Sequence, residues 1–241
     1  MIKFIRKIVI LILLVIFIFS TYNLYKIFCE YKENKDAYND ISKIVTKEDK
    51  TIKIKNEEYE SLKEVNDDYL FWLYIPETNI NYPVVKANNN EEYLYKNFKR
   101  EENRGGCLFV DSRNVSEDDD NIIIHGHNMK DKSMFGTLSN LLISEYLNEN
   151  KRIYIYLENK ILAYEVFSVY VNTGDFNPYK TIFNTDEEFN EYIKNVRKKS
   201  YYNLEYIDDG KKNIITLSTC TNATGEERTV VNAKLISVTD I

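Results

Sequence analysis

The hydrophobic pattern changes character along the chain, and each change predicts a different element. Residues 8–25 carry no charge, residues 8–19 are unbroken aliphatic or aromatic, and Lys3, Arg6 and Lys7 come before them. Such a run predicts a bilayer-crossing helix, and the basic residues ahead of it predict a cytoplasmic N-terminus with everything after about residue 26 outside the cell. No small-x-small cleavage site follows in residues 20–25, so an uncleaved single-pass membrane anchor is expected rather than a signal peptide. From residue 30 to 68 charges dominate, and Ile41, Ile44 and Val45, then Tyr59, Leu62 and Val65, recur at helical separations. That spacing predicts two amphipathic helices, either a stalk or helices packed on the domain that follows.

Beyond residue 68 the pattern becomes β-like. Strands are predicted at residues 70–75 and 80–85, the second with Pro83 as a mark of an edge or a bulge, and at residues 105–110, with Cys107 inside and packed. Residues 121–124 run into His125-Gly126-His127-Asn128-Met129, a strand ending in a glycine-containing loop. Residues 132–149 read as a helix, and residues 151–157 and 160–170 as a hairpin around Glu158-Asn159. The acidic start and basic end of residues 186–199 complement a helix dipole. Two last strands, 213–219 and 229–238, flank the polar turn 221–227, which places Cys220 and Arg228 at one sheet end. The organisation expected is a tail and transmembrane anchor at 1–26, a charged helical stalk or linker at 27–56, and a folded domain at 57–241.

Composition narrows the class. At 241 residues, 44% hydrophobic, the chain has material for a sizeable core, and only 7 Gly and 3 Pro leave few element breakers. A net charge of -6 argues against a nucleic-acid partner, because neutralising phosphates needs a basic surface. Cys29, Cys107 and Cys220 are an odd number, far apart and without a C-x-x-C pair, so neither a disulfide framework nor a zinc knuckle is suggested.

Three side-chain types converge as candidate chemistry. A thiol at Cys220 can be the nucleophile of acyl transfer, an imidazole at His127 or His125 can move protons, and the guanidinium of Arg228 can stabilise a developing oxyanion. Strand alternation sets Ser218 and Thr216 on the face of Cys220, which makes Ser218 a candidate substrate contact or, equally, a hydroxyl bonded to a neighbouring strand. The H-x-H spacing could instead hold a metal, with carboxylates or Cys220 completing the site, since no further histidine exists.

Thr216-Leu217-Ser218-Thr219-Cys220 with Arg228 downstream resembles the TLxTC motif and following arginine of the sortases, and Gly126-His127-Asn128-Met129 resembles the loop of their catalytic histidine. Trp72, Ile75-Pro76, Tyr82-Pro83-Val84-Val85, and Phe109 with Asp111, Arg113 and Asn114 agree more weakly. The helix inserted before the cysteine strand and the N-terminal helices make the likeness one to class B sortases, Gram-positive membrane-anchored cysteine transpeptidases. Where a tyrosine often precedes the Gly-His pair, this chain has His125. The resemblance implies a mainly β, α+β fold: an eight-stranded sortase-type β-barrel with N-terminal helices and an inserted helix, residues 57–241 being the catalytic domain. It implies Cys220, His127 and Arg228 as catalytic residues, Ser218, Thr219 and His125 as substrate contacts, and chemistry that needs no metal or organic cofactor. The implied substrates are surface proteins with an NPxTN-like or LPxTG-like sorting motif, cleaved after Thr through a thioacyl intermediate. The acceptor would be an amine of a cell-wall peptide or a protein lysine. A cysteine peptidase that hydrolyses the intermediate, and a non-catalytic surface binding domain, remain as alternatives.

Overall fold

The computed structural model describes residues 2–48, 51–53, 55–116, 119–149, 151–174, 176–220 and 227–240. Helix α1 (Ile2–Ser42) leads into a two-stranded ribbon, β1 (Thr46–Glu48) and β2 (Thr51–Lys53), and then helix α2 (Asn56–Val65). Eight strands follow: β3 (Tyr69–Tyr74), β4 (Asn81–Lys86), β5 (Leu108–Val110), β6 (Asn121–His125), β7 (Arg152–Tyr156), β8 (Lys160–Asn172), β9 (Ile214–Cys220) and β10 (Arg228–Asp240). They close into a barrel in the order β10-β8-β7-β3-β4-β5-β6-β9. Closure pairs every strand on both sides and leaves no sheet edge. Two pairs are parallel, β4 with β5 and β6 with β9, and the others are antiparallel.

Alternation along the strands divides two apolar layers. Leu217, Ile215, Val231 and Ala233 face the barrel interior with Leu73, Val84 and Leu108. Ile214 and Val230, with Phe167 and Tyr170 of β8, face the other way and are covered by helix α4 (Asp186–Lys199) through Phe189, Tyr192, Ile193 and Val196. Helix α4 begins as its sequence predicts: the Thr185 side chain accepts from the Glu188 N–H at 3.1 Å, with acidic residues in the first turn and basic ones in the last. Between helix and sheet runs a buried polar chain. Thr216 Oγ1 donates to Asn121 Oδ1 at 2.8 Å, and Asn232 Nδ2 donates to Thr216 Oγ1 at 2.9 Å. The Tyr192 hydroxyl donates onward to Pro178 O at 2.8 Å, tying α4 to the loop before it.

Several expectations are corrected. Residues 132–149 are not one helix: a 3-10 turn at Leu138–Leu142 precedes a short helix, α3 (Ser144–Glu149). Met134, Phe135, Leu138 and Leu141 are buried, so packing of this segment onto the barrel overrides its helical pattern. Pro83 sits in an internal strand, tolerated because the β4 to β5 ladder begins only at Val84. Cys107 lies just before β5 rather than inside it, buried, with its thiol pushed up to about 12 by burial. The turn expected at 221–227 lies, apart from Glu227, outside the described residues.

The expected single-pass anchor, with a cytoplasmic N-terminus and an extracellular domain, is also overturned. Among the described residues no helix is long and apolar enough to cross a membrane. The unbroken apolar stretch, residues 8–19, is 12 residues, about 18 Å of helix against a hydrocarbon core of about 30 Å. Beyond it the same helix turns polar and packs Asn34, Tyr38 and Ile41 against the barrel, where the Tyr38 hydroxyl donates to Gly106 O at 2.8 Å. A membrane partner through this helix is withdrawn with it.

Candidate active site

The site is assembled by the pairing of β6, β9 and β10 at one end of the barrel. Antiparallel pairing sets Arg228 opposite Cys220, and parallel pairing sets His125 beside Ser218. The ladder continues one step past β6, where Gly126 N–H donates to Ser218 O at 3.3 Å. The paired register ends at His125 and Ser218, two residues before His127 on one side and two before Cys220 on the other. The sequence separation of 93 residues between His125 and Ser218 is thus bridged by one strand pairing.

Gly126 is required by what surrounds it. A Cβ there would lie 2.3 Å from Leu108 Cδ2 and 2.9 Å from Phe135 Cδ2, both in the barrel core. This close approach lets the chain turn out of β6 and expose the His127 ring. Its Nε2 bonds the carbonyl oxygen of Leu94 at 2.7 Å, and Tyr95 stands against it with ring centroids 5.8 Å apart. The Leu94 carbonyl is held in turn by a tight turn: Gly106, at φ 62°, leaves no room for a Cβ, which would come within 2.6 Å of the Tyr93 and Leu94 oxygens.

His125 has a different environment. Its Nε2 bonds Asp111 Oδ2 at 2.7 Å, and its ring lies 5.4 Å from both Phe109 and Tyr179. Asp111 is fully buried. Burial alone would push its carboxyl up, but hydrogen bonds from Arg113 side chain and backbone and from His125 outweigh it and hold the carboxyl well below the usual carboxylate range. Arg113 grips it with Nε at 2.8 Å and a terminal nitrogen at 2.7 Å, and Asn90 Nδ2 donates to it at 3.1 Å. The same guanidinium stands over the Tyr179 ring at 5.5 Å in a cation–π contact. The two imidazoles therefore bond separate partners and do not converge on one ligand.

Ser218 and Thr219, read as substrate contacts, are both nearly fully buried. The Ser218 hydroxyl shares a hydrogen bond of 2.8 Å with the Tyr179 hydroxyl, while Thr219 Oγ1 has no partner among the described residues. Both line a groove of about 290 Å³ together with His125, His127 and Arg228. So the structure gathers His125, His127, Ser218, Thr219 and Arg228 in one groove, with the Cys220 backbone at its end. Tyr179, Asn90 and Leu94, also in its walls, escaped sequence reasoning. They sit in loops, and only the fold brings them 39 to 128 residues back along the chain to β9; a polar loop tyrosine gives no periodic signal.

A family model described as the sortase domain matches residues 73–236. The chain belongs to the sortase family. A sortase B from Listeria monocytogenes serovar 1/2a is 37% identical over 216 residues, covering 86% of this chain and 87% of the relative. A sortase B from Staphylococcus aureus is 33% identical over 223 residues, covering 89% of this chain and 91% of the relative. The solved Staphylococcus aureus sortase B–substrate complex superposes with a TM-score of 0.76 at 28% identity, covering 87% of this chain and 99% of that one. The sortase reading of the motifs and the eight-stranded barrel are both borne out, and this sortase is a class B cysteine transpeptidase by its relatives.

Proposed function

We propose that this sortase cleaves a sorting motif of a surface protein after its threonine and passes the acyl group to an amine, with Cys220 as nucleophile, His127 as acid and base, and Arg228 as the oxyanion partner. The observation that supports this reading is the register: one ladder puts Arg228 opposite Cys220, and the other pairs His125 with Ser218, which come two residues before His127 and Cys220. In the first step the Cys220 sulfur bonds to the threonine carbonyl carbon, and the oxygen takes the electron pair beside the Arg228 guanidinium. The tetrahedral intermediate collapses with loss of the C–N bond, the departing amine taking its proton from the His127 imidazolium. In the second step an amine bonds to the thioester carbon, its proton passes to His127, and the C–S bond breaks to return the thiolate.

The groove wall made by His125, Ser218, Thr219 and Tyr179 is where the motif would lie, and the similarity to a Staphylococcus aureus sortase B–substrate complex supports a sorting substrate for this chain. NPxTN-like and LPxTG-like motifs are the donors to try first, with a cell-wall peptide amine or a protein lysine as acceptor. Mass spectrometry of the protein mixed with such peptides and amines tests the proposal. A new amide is expected from the native chain and none from Cys220→Ala; an amide formed by that variant would remove Cys220 from the mechanism, and hydrolysed peptide alone would favour a peptidase.

A further inference from the structure

The barrel holds a cavity of about 160 Å³ at the end where β6 begins, away from the end where β6 delivers His125. Phe71 near the start of β3, Val110 at the end of β5, Ile122 near the start of β6, and Leu157 and Leu162 around the β7–β8 turn supply its apolar wall. Among the described residues the cavity and the donor groove share none. Val115, 78% exposed, stands on its rim and leaves a way in from solvent. An apolar cavity of about 150 Å³ is large enough to take up a single benzene ring.

Two polar side chains that reach the cavity have their hydrogen bonds elsewhere. Lys86 Nζ donates to the carbonyl oxygens of Asn114 and Asp111. Asn114 Nδ2 donates to Asp119 Oδ2 and to Asn121 O, both at 2.8 Å, and its Oδ1 accepts from the Ile123 N–H at 3.0 Å. Tyr164 differs. It is 5% exposed, its hydroxyl has no hydrogen-bond partner among the described residues, and the oxygen is not sealed in by protein as those of Tyr69 and Tyr206 are. Burial alone pushes that hydroxyl up, so it keeps its proton and stands as a donor at neutral pH. A nearly buried hydroxyl left open on an apolar wall is a place for a ligand oxygen. A charged ligand is disfavoured, because Asp119 and Asp111 already balance Lys86 and an ion would lose its hydration to apolar side chains.

We propose that this cavity binds a neutral aromatic ring carrying one oxygen substituent, a phenol-like molecule, with the ring among Phe71, Val110, Ile122 and Leu162 and its oxygen at the Tyr164 hydroxyl. Three properties of the cavity select that occupant. Its volume admits one ring, the Phe71 and Tyr164 rings offer the edge contacts that favour an aromatic guest over an aliphatic chain, and the open hydroxyl selects an oxygen. The site is independent of the transpeptidation chemistry, since a ring bound there leaves the donor groove open.

The test titrates the full chain with phenol and, separately, with benzene, using calorimetry for affinity and methyl NMR for location. Saturable shifts are expected at the Val110, Ile122 and Leu162 methyls with both rings. In Tyr164→Phe the ring space is unchanged and only the hydroxyl is lost. Phenol should therefore bind about fivefold to tenfold more weakly, the size of one hydrogen bond, while benzene stays within twofold. Equal phenol affinity in the native chain and the variant would overturn the proposal, as would the lack of any saturable shift or shifts confined to Leu94 in the donor groove. If Tyr164→Phe fails to fold, Leu162→Phe takes its place: filling the cavity should abolish binding of both rings, and binding that survives it would overturn the site.

Discussion

At the scale of single residues, two imidazoles two positions apart are held by different partners. His127 is held by a backbone carbonyl, whereas His125 is bonded to a buried carboxylate and wedged between Phe109 and Tyr179. His127→Ala is expected to cost about 10²–10⁴-fold in kcat/KM, the usual value of an acid–base group. His125→Ala should cost about tenfold or less, chiefly through KM, because what it loses is the shape of the groove wall. Equal losses would reassign the acid and base. Asp111→Asn gives a stability measurement at the same place. Its folded value lies below the unfolded one, so the stabilisation is complete above about pH 4 and is lost as pH falls through the folded value. Urea unfolding should show the variant about 2 kcal/mol less stable at pH 7, with a gap that holds to about pH 5 and narrows below pH 4 as the unfolded carboxyl takes up its proton.

At the scale of elements, the strands were legible and the segments around them were not. β3, β4, β7, β8, β9 and β10 fall within a residue or two of where alternation put them, since their inward positions repeat every second residue in a barrel with one apolar interior. The hairpin that pairs Cys220 with Arg228 was also readable, because a polar run between two β-prone runs fixes which residues face each other. The segment after His127 was not. Its apolar residues recur at helical spacing, yet they are used one by one to plug the barrel side, and the chain makes a 3-10 turn in place of the helix. Tyr179 gave no signal, because its importance comes from strand neighbours far away in sequence. Gly126 is where element and site meet. Gly126→Ala should destabilise the chain by about 1–3 kcal/mol through overpacking, seen as a lower Tm, and should lower kcat by displacing His127. A variant with native Tm and native rate would show that Leu108 and Phe135 can give way.

At the scale of the whole molecule, the barrel separates thiols by accessibility. Cys107 is 2% exposed and its thiol is pushed up to about 12 by burial, so it is both shielded and protonated at neutral pH. Iodoacetamide at pH 7.5, followed by peptide mapping, should leave Cys107 unmodified in the folded chain and label it only after denaturation. Rapid labelling of the native form would mean that the strap of α1 over Gly106 opens readily.

The parallel contact of β6 with β9 has a further meaning for how the chain matures. It joins segments some ninety residues apart, across a hairpin, a loop and α4. Contacts of such long range pay their loop-closure entropy before they are rewarded and so tend to form late. β9 and β10 are also the last strands to be synthesised, so a nascent chain can fold its earlier hairpins while the cysteine is still far from any imidazole. On the proposed mechanism barrel closure would then be the event that arms the thiol, and a half-made chain would carry no competent nucleophile with which to capture a passing peptide.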